Sequence, residues 1–422
     1  MSYLFNNQVE LSNLDAFGRA RSSEPMTIAD YTHVYGENSD MLFKLNGSGT
    51  YSYRTNEASV RLQVGTTSND YTIHQSRMYH HYQPGKSQLI YSSFNFLGTS
   101  SNCDKRIGYF DDRNGIFLNL DGNGELSFVQ RSYTDGTQSN MTYSQSNWNK
   151  DKCNGTGTSK FDIDITQTQL VFFDFQWLGV GRLRCGFVHD GNLIVAHEIY
   201  HSNNLDKVYW SNPSLPVRCE IINTGIGTGT ASMDQICSTV ISEGGYDSAG
   251  YDFAAGGGSF SVATASYQYP ALAIRLKNTF NGYPNRATLR AGNIKCLALN
   301  NNLRYSIWRL PSSSNITGGT WTSVSDDSIA EYNNTITSWS STGGSALNYE
   351  YVSATNTLGG KGSLPTVSPS LGSATTPSAK KTFISQNIES NDSNVFLIVV
   401  TPISVIGGTC DFRVAMNWRE IY

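Results

Sequence analysis

The chain has 422 residues, a formal net charge of −4, 15% charged residues and 12% aromatic residues. Nucleic acids and anionic membranes select proteins with clustered Lys and Arg, so this composition argues against both classes of partner. A single hydrophobic core stops growing near ~250 to 300 residues, and the length therefore predicts about two or three domains. The 24 Tyr and 39 Gly residues, together with few charges, are typical of an all-β protein.

The sequence also bears on the compartment in which the protein is made. No apolar run reaches about 18 residues, and the N-terminal sequence MSYLFNNQVELS lacks the basic and apolar regions of a secretory signal. The seven cysteines form an odd set without a C-x-x-C pair, which favours reduced thiols over a disulfide framework. We therefore expect synthesis in a cytoplasm and no membrane insertion.

The N-terminal segment differs from the rest of the chain in its pattern. Residues 1–38 show no clear hydrophobic period, and we interpret them as an extended arm that docks on partner proteins. From residue 39 to residue 254, alternating apolar and polar positions recur between turns. This pattern predicts an antiparallel β-sandwich of the jelly-roll class.

Two stretches of this region carry the strongest strand signals. The segment 107–133 contains the turn sequence DGNG between two alternating runs, which predicts a hairpin. The segment 161–203 contains three alternating runs, with Asp190 and Gly191 at the second turn, as a type I′ turn requires. We therefore predict an antiparallel meander of three strands.

One motif in this meander is that of a zinc protease when it lies on a helix. Residues 197–201 read HEIYH, in which His197 and His201 would bind zinc and Glu198 would act as the base. In the predicted strand, residues i and i+4 lie roughly 13 Å apart at ~3.3 Å per residue. Both nitrogens must lie ~2.0 to 2.1 Å from one zinc ion. We predict no metal site here and expect both histidines at the surface or rim.

Two carboxylates and a glycine-rich stretch are further functional candidates. Asp174 in FFDFQW and Glu243 in ISEGGY lie inside apolar runs. Paired carboxylates support glycoside hydrolysis at about 5.5 Å or ~6.5 to 9.5 Å, a separation that sequence does not measure, so structural or solvent-facing carboxylates are the favoured interpretation. The sequence GIGTGT at 225–230 lacks the Gly-Lys-Ser/Thr of a phosphate-binding loop and predicts a strand connection.

The remaining chain predicts a second β-rich domain at residues 255–422. The sequence FAAGGGS at 253–259 is interpreted as a hinge, and the Ser/Thr/Gly-rich residues 353–380 as a long loop. The last alternating segments, NVFLIVVTPIS and CDFRVAMNWREIY, predict strands that return to the sheet and order the C-terminus.

Several long segments together carry a resemblance to a known group of proteins. In chain order they are AFGRARSSEP, FVQRSYTDG, QSNWNKDKCNGTGTSKFDIDITQTQLVFFDFQWLGVGRLRCGFV, LPVRCEI, ICSTVISEGGY and LRYSIWRLPS. This order resembles virion-associated proteins of tailed bacteriophages over most of the chain. The resemblance implies a component of the virion, made in the host bacterial cytoplasm, and it transfers no catalytic residue.

The middle of the chain is also similar to concanavalin A-like jelly rolls of the lectin and laminin-G type. The similarity lies in the order of Trp177, the Gly179–Gly181 turn, the strand RLRCGFV and the Asp190-Gly191 turn. The E-x-D-x-x-E acid motif of glucanases does not occur in the sequence, and no Asp/Asn calcium cluster of legume lectins can be picked out. The resemblance therefore implies a fold, and neither hydrolase activity nor metal binding.

Three functional hypotheses follow, in descending order. The first is a non-enzymatic virion protein, displayed as a decoration or appendage, docked on other virion proteins through residues 1–38 and assembled as a homo-oligomer. The second is a receptor-binding protein for host-surface glycan, and the third is a glycan hydrolase. No catalytic, cofactor-binding or metal-binding residue is predicted, and no cofactor is expected. The candidate glycan contacts are Tyr200, His201, Trp210 and Trp321.

Overall fold

The computed structural model describes residues 24–245, 250–354, 383–386 and 392–422. Within these residues, regular structure consists of thirty β-strands and two short 3-10 turns, at Gln145–Asn147 and Ser313–Asn315. The predicted all-β class with antiparallel sandwiches is confirmed. None of the helical turns in the described residues is long and apolar enough to cross a membrane.

The N-terminal part of the described chain contains the first fifteen strands. Their bounds are β1 (Pro25–Thr32), β2 (Met41–Asn46), β3 (Thr50–Arg54), β4 (Ser59–Val64), β5 (Tyr71–Ser76), β6 (Ser87–Asn95), β7 (Cys103–Phe110), β8 (Gly115–Leu120), β9 (Leu126–Ser132), β10 (Ser139–Ser144), β11 (Gln169–Phe175), β12 (Leu183–His189), β13 (Asn192–Ile199), β14 (Val217–Asn223) and β15 (Ala231–Glu243).

These strands form two antiparallel sheets, which we call the N-terminal sandwich. One sheet has the order β13-β12-β11-β6-β15-β4-β3, with β1 also paired to β15, and the other has the order β10-β9-β8-β7-β14-β5-β2. Successive side chains of a strand point to opposite faces. In β8, Ile116 and Leu118 therefore enter the core between the sheets, whereas Phe117 joins a small buried cluster on the opposite face.

The predicted hairpin and meander of this sandwich are confirmed. Asp190 and Gly191 have φ values of 49° and 76°, the left-handed pair that a type I′ turn needs between β12 and β13. In the β8–β9 connection, Asp121 Oδ1 accepts hydrogen bonds from the backbone nitrogens of Asn123 at 2.9 Å and Glu125 at 2.8 Å. Local turn chemistry therefore sets both strand reversals.

The predicted N-terminal arm is corrected in part. Residues 1–23 lie outside the described residues, but residues 25–32 form β1, which pairs with residues 237–243 of β15. Ile28 and Tyr31 of β1 are 6% and 3% exposed and belong to the core. The burial of these side chains makes this segment a strand of the sandwich.

The C-terminal part contains the other fifteen strands. Their bounds are β16 (Tyr251–Gly256), β17 (Phe260–Val262), β18 (Tyr269–Leu276), β19 (Thr279–Phe280), β20 (Tyr283–Pro284), β21 (Thr288–Ala298), β22 (Leu303–Leu310), β23 (Ile316–Thr317), β24 (Thr322–Ser323), β25 (Ala330–Asn333), β26 (Ser338–Trp339), β27 (Ser345–Val352), β28 (Phe383–Ile384), β29 (Val395–Pro402) and β30 (Cys410–Ile421).

Eleven of these strands form a second pair of sheets, which we call the C-terminal sandwich, while β19 pairs with β20 and β23 pairs with β26 in two separate two-stranded sheets. One sheet has the order β16-β30-β21-β28, with β17 also paired to β30, and the other has the order β24-β25-β18-β29-β22-β27. The strand β16 runs into the predicted hinge at 253–259, so that segment begins inside a sheet. The predicted boundary after residue 254 stays a prediction, and all but the first two residues of the predicted loop at 353–380 lie outside the described residues.

Buried polar contacts join the two sandwiches. Arg77 Nη1 donates to Asn394 Oδ1 at 2.9 Å, and Ser385 Oγ donates to the Arg77 carbonyl at 2.9 Å. Arg309 Nη1 donates to Asp40 Oδ1 at 3.1 Å. Because buried polar groups need partners, these bonds favour one relative placement of the sandwiches. A cleft opens beside this junction.

Candidate functional site

The HEIYH segment lies on an extended chain, as predicted. His197 is in β13, and its Nδ1 accepts a hydrogen bond from the Asn149 backbone nitrogen at 3.2 Å. His201 follows the strand, and its Nδ1 lies 2.7 Å from the Gly181 carbonyl oxygen. Among the described residues, no group of three or more His, Cys, Asp or Glu side chains is arranged to hold a metal ion. The two imidazoles make separate structural contacts.

The predicted exposure of these histidines was wrong. His197 is 5% exposed and His201 is 3% exposed. The segment around Asn149 covers His197, and the ring of Tyr209 stacks on His201 with a centroid distance of 3.9 Å. Segments distant in sequence therefore bury a face that the local pattern assigned to solvent.

The other predicted glycan contacts do not form one surface. Trp210 is fully buried in the core, so its ring faces cannot stack on a sugar, and the buried His201 is likewise unsuitable. Tyr200 is 51% exposed, but its hydroxyl donates to Glu198. Trp321 lies in the other sandwich, where the guanidinium carbon of Arg275 sits 4.2 Å from its ring centroid.

The two carboxylates considered for hydrolysis lie on the same face of one sheet, on the strands that flank β6. Asp174 is paired with Arg184, whose Nε donates to it at 2.7 Å. Burial and the charge of Asp174 raise the pKa of Glu243. The strand registers place Asp174 opposite Leu89 and Glu243 opposite Ser87. Both carboxylates lie outside the cleft described below.

A second group of charges lies on the outer face of the seven-stranded sheet. Glu220 accepts from Arg106 Nη1 at 2.7 Å and lies 2.6 Å from Arg218 Nη2. Burial alone would raise the pKa of Glu220, but Arg218 and Arg106 lower it to about 2. A carboxylate that is held ionised in this way cannot donate a proton as a general acid near neutral pH.

A further candidate site is a cleft between the two sandwiches. A cavity of about 360 Å³ adjoins a second of about 440 Å³, and the two share Asn212, Tyr283, Pro284 and Arg286 in their linings. We call this space the inter-sandwich cleft. The other residues of the second cavity are Asp111, Arg113, Asn114, Tyr133, Thr134, Gly136 and Ser211.

A short hairpin of the C-terminal sandwich forms one wall of the cleft. Strands β19 and β20 are joined by Asn281 and Gly282, with φ values of 50° and 80°. Both residues tolerate this left-handed conformation, which allows a two-residue turn. The turn is followed by Tyr283, which lines both cavities and is 70% exposed. The hairpin therefore presents an aromatic ring to the cleft.

The opposite wall is ordered by side-chain bonds to loop backbone. Asp111 Oδ1 accepts from the backbone nitrogens of Arg113 at 2.8 Å and Asn114 at 2.9 Å. Asn114 Oδ1 accepts from the Ser211 backbone nitrogen at 3.0 Å. These bonds tie the β7–β8 loop to the segment before β14 and preorganise this wall, which lowers the entropic cost of binding a ligand.

Two guanidinium groups flank the same cavity. The guanidinium carbon of Arg113 lies 4.6 Å from the Tyr133 ring centroid, and that of Arg286 lies 4.6 Å from the Tyr79 ring centroid. Arg286 Nη2 is 3.7 Å from Asp111 Oδ2. Stacking on aromatic rings orients both planar groups and leaves N–H groups at their edges that can bond to a ligand.

Sequence reasoning missed the residues of this cleft. The Asn281-Gly282 dipeptide is a strong hairpin signal and could have drawn attention to Tyr283. Nothing in the local sequence indicates that Tyr283 and Arg286 face Asp111, which precedes them by more than 170 positions. The proximity of these residues depends on how the two sandwiches pack against each other.

Comparisons with known proteins give fold likenesses alone. No family model matches the chain, and no curated protein matches its sequence. Similar solved structures include a protein of unknown function from Shewanella oneidensis MR-1, with 10% identity and a TM-score of 0.35 over 56% of this chain and 92% of that chain. A legume lectin-like domain from Entamoeba histolytica has 9% identity and a TM-score of 0.32 over 51% of this chain and 97% of that chain. A glycoside hydrolase family 16 endo-glucanase from Bacteroides ovatus has 8% identity and a TM-score of 0.35 over 50% of this chain and 99% of that chain.

Proposed function

We propose that this protein is a non-enzymatic structural component of a bacteriophage virion, displayed on the particle surface, and that its inter-sandwich cleft binds host-surface carbohydrate. The residues that line the cleft support the proposal of carbohydrate binding. The segments that resemble virion-associated proteins support the structural part.

The chemistry of the cleft suits a sugar ring. The exposed Tyr283 ring offers an apolar face to the C–H groups of a pyranose. Asn212, from the facing wall, lines both cavities and adds an amide that can bond to hydroxyl groups. A few polar groups around an aromatic platform are typical of small-molecule sites.

The charges of the cleft favour binding over cleavage. Glycoside hydrolysis uses two carboxyl groups, about 5.5 Å or ~6.5 to 9.5 Å apart. Asp111 is the single carboxylate that lines the second cavity, and its Oδ1 already accepts two backbone hydrogen bonds. Elsewhere, Glu220 is held ionised between two arginines and is unsuited to act as an acid.

The virion role accounts for the remaining features of the chain. The residues that precede β1 would dock on neighbouring virion proteins, with β1 anchoring the end of that segment in the sandwich. A homo-oligomer would present several clefts at once, and the avidity of such an array compensates for a weak single site.

The carbohydrate proposal is tested by binding to an array of bacterial surface glycans. Tyr283→Ala is expected to weaken binding of the best glycan by roughly tenfold, because an aromatic contact of about 1 kcal/mol or more is lost together with buried area. Tyr351→Ala is the matched control, since Tyr351 is also 70% exposed and lies outside the cleft lining. Equal binding by both variants, or no glycan bound by the unmodified protein, would contradict a glycan site in the cleft.

The virion proposal is tested by imaging intact particles at high resolution. We expect the protein as a repeated subunit on the particle surface, with the residues that precede β1 in contact with other virion proteins and the cleft facing outward. Subunits repeated over the capsid would indicate decoration, whereas a small oligomer at the tail would indicate dedicated host attachment. Absence of the protein from purified particles would contradict the proposal.

A further inference from the structure

We infer that the inter-sandwich cleft selects an acidic saccharide and that the guanidinium groups of Arg113 and Arg286 bind its carboxylate. This inference rests on the proposed carbohydrate-binding function and names the chemical class of the ligand.

The first observation is that Arg113 has unused donors. Its guanidinium stacks on Tyr133 and lines the cavity of about 440 Å³. The backbone nitrogen of Arg113, and not its side chain, donates a hydrogen bond to Asp111 Oδ1. Among the described residues, its side chain has no hydrogen-bond or ion-pair partner. A half-buried cation with free N–H groups at a cavity wall is suited to an anionic ligand.

The second observation concerns Arg286 on the other wall. Its Nη2 lies 3.7 Å from Asp111 Oδ2, which is longer than a hydrogen bond. The side chain is 25% exposed and stacks on Tyr79. The ring contact holds the plane of the guanidinium, so its edge can form two parallel bonds to a carboxylate.

The charges around the second cavity give the third observation. Its lining contains the cations of Arg113 and Arg286 but one carboxylate, that of Asp111. The neighbouring Asp112 does not balance this excess, because it is paired with Arg218 at 2.7 Å. The cavity is therefore locally cationic in a chain whose formal net charge is −4. This difference favours an anion at this position.

The surroundings of the two cations point to a carboxylate on a sugar ring. Tyr133 and Tyr283 line the same cavity and can flank a pyranose, while the paired guanidinium edges match the planar fork of a carboxylate. Uronic acids and nonulosonic acids carry such a group directly on the ring. Sugar phosphates and sulfates share the oxyanion chemistry and also accept paired guanidinium bonds, so they are separate arms of the test.

The test compares acidic oligosaccharides with their own neutral derivatives. The probes are oligogalacturonate, alginate oligomers and a sialylated oligosaccharide, each also as the methyl ester, with phosphorylated and sulfated oligosaccharides as further arms. We expect at least one acid to bind, with its ester weaker by roughly 10- to 100-fold, since a hydrogen bond to a charged group contributes that range.

Two variants test whether the guanidinium groups of Arg113 and Arg286 cause the preference for the acid over its ester. Arg113→Gln and Arg286→Gln are each expected to reduce binding of the acid by roughly tenfold or more, and to reduce the difference in affinity between the acid and its ester. Arg304→Gln is the matched control, because Arg304 also stacks on a tyrosine, Tyr349, at 5.1 Å, outside the cleft lining. Since Arg113 has no ion pair to lose, its variant tests the inference even where Arg286→Gln reduces folding.

The outcomes separate the inference from the function on which it rests. Equal binding of acid and ester, with both still weakened by Tyr283→Ala, would overturn the acidic selection and leave a glycan site in the cleft. Binding of phosphorylated or sulfated sugars but of no carboxylated sugar would overturn the carboxylate assignment. Binding of none of these glycans would contradict both proposals.

Discussion

The two sandwiches have cores of different chemistry. All seven histidines of the chain lie between positions 33 and 201, in the N-terminal sandwich, together with the buried Glu220 and its arginines. In the C-terminal sandwich, residues 395–400 of β29 are fully buried and apolar, with alternate side chains in the main core and in a smaller cluster on the other face. The first sandwich therefore depends on the protonation of many buried groups, whereas the second depends mainly on apolar packing and has fewer buried ionisable groups, among them Glu420.

Acidification is expected to cause the largest difference in stability between the two sandwiches. Burial lowers the pKa of His33 to about 4, of His74 to about 3 and of His80 to about 4, from the ordinary value of 6.5. As the pH falls, the imidazoles are protonated in the unfolded chain before they are protonated in the folded protein. The stabilisation of the fold by the neutral buried histidines is therefore complete above pH 6.5 and is lost as the pH falls toward 4. The loss is about 1.4 kcal/mol per histidine for each pH unit in this window.

Hydrogen exchange of each sandwich between pH 7 and pH 4, corrected for intrinsic rates, measures this effect. Strands of the N-terminal sandwich should lose protection first, while β29 retains it. If β29 lost protection at a higher pH than β5 and β14, the buried histidines would not be the cause of the acid sensitivity.

Removal of the charge of Glu220 is expected to have the next largest effect. Glu220→Gln leaves the half-buried Arg106 and the buried Arg218 without their shared carboxylate and should lower the free energy of unfolding by about 3 to 5 kcal/mol. Denaturant unfolding at pH 7 measures the change. Glu57→Gln removes an exposed partner of Arg54 and should have no measurable effect. Equal stability of both variants would show that the Glu220 network does not stabilise the fold.

A truncation in the C-terminal core should be independent of pH. Ile398→Ala removes a fully buried side chain from β29 and is expected to cost about 2 to 5 kcal/mol, through lost burial and an added cavity. The same loss is expected at pH 7 and pH 5, because the main core around Ile398 is predominantly apolar. A loss that changes strongly with pH would show that the two cores are coupled.

The smallest effect is expected for Tyr200, the exposed residue within the HEIYH segment. Tyr200→Ala removes its hydroxyl bond to Glu198 and should lower the free energy of unfolding by about 1 kcal/mol or less. Glycan binding should be unaffected, because Tyr200 lies outside the cleft lining. A loss of glycan binding would restore Tyr200 as a ligand contact and weaken the assignment to the cleft.

The strands themselves were predictable from the sequence to a large extent. The meander β11–β13, the hairpin β8–β9 and the terminal strands β29 and β30 occur where alternation and turn residues predict them. These signals are local, because strand alternation has a period of two and a type I′ turn needs two particular residues. The strand β1 was missed because its polar flanks hide the pattern of its buried residues.

The candidate site was not predictable in the same way. Trp210 and His201 were selected by residue type, but distant segments bury both, whereas Tyr283 and Arg286 reach the surface of a cleft. Exposure depends on which elements pack over a residue, and residue type alone does not determine it.

The sequence by itself determined the all-β class, the antiparallel strand reversals and the extended conformation of the HEIYH segment, which rules out a helical zinc motif. All three follow from the conformational preferences of neighbouring residues. The tertiary structure alone decided which histidines are buried and that Asp111, Arg113, Tyr283 and Arg286 line one cavity. The reason is that burial and charge placement arise from the packing of two sandwiches, whose facing loops lie far apart along the chain.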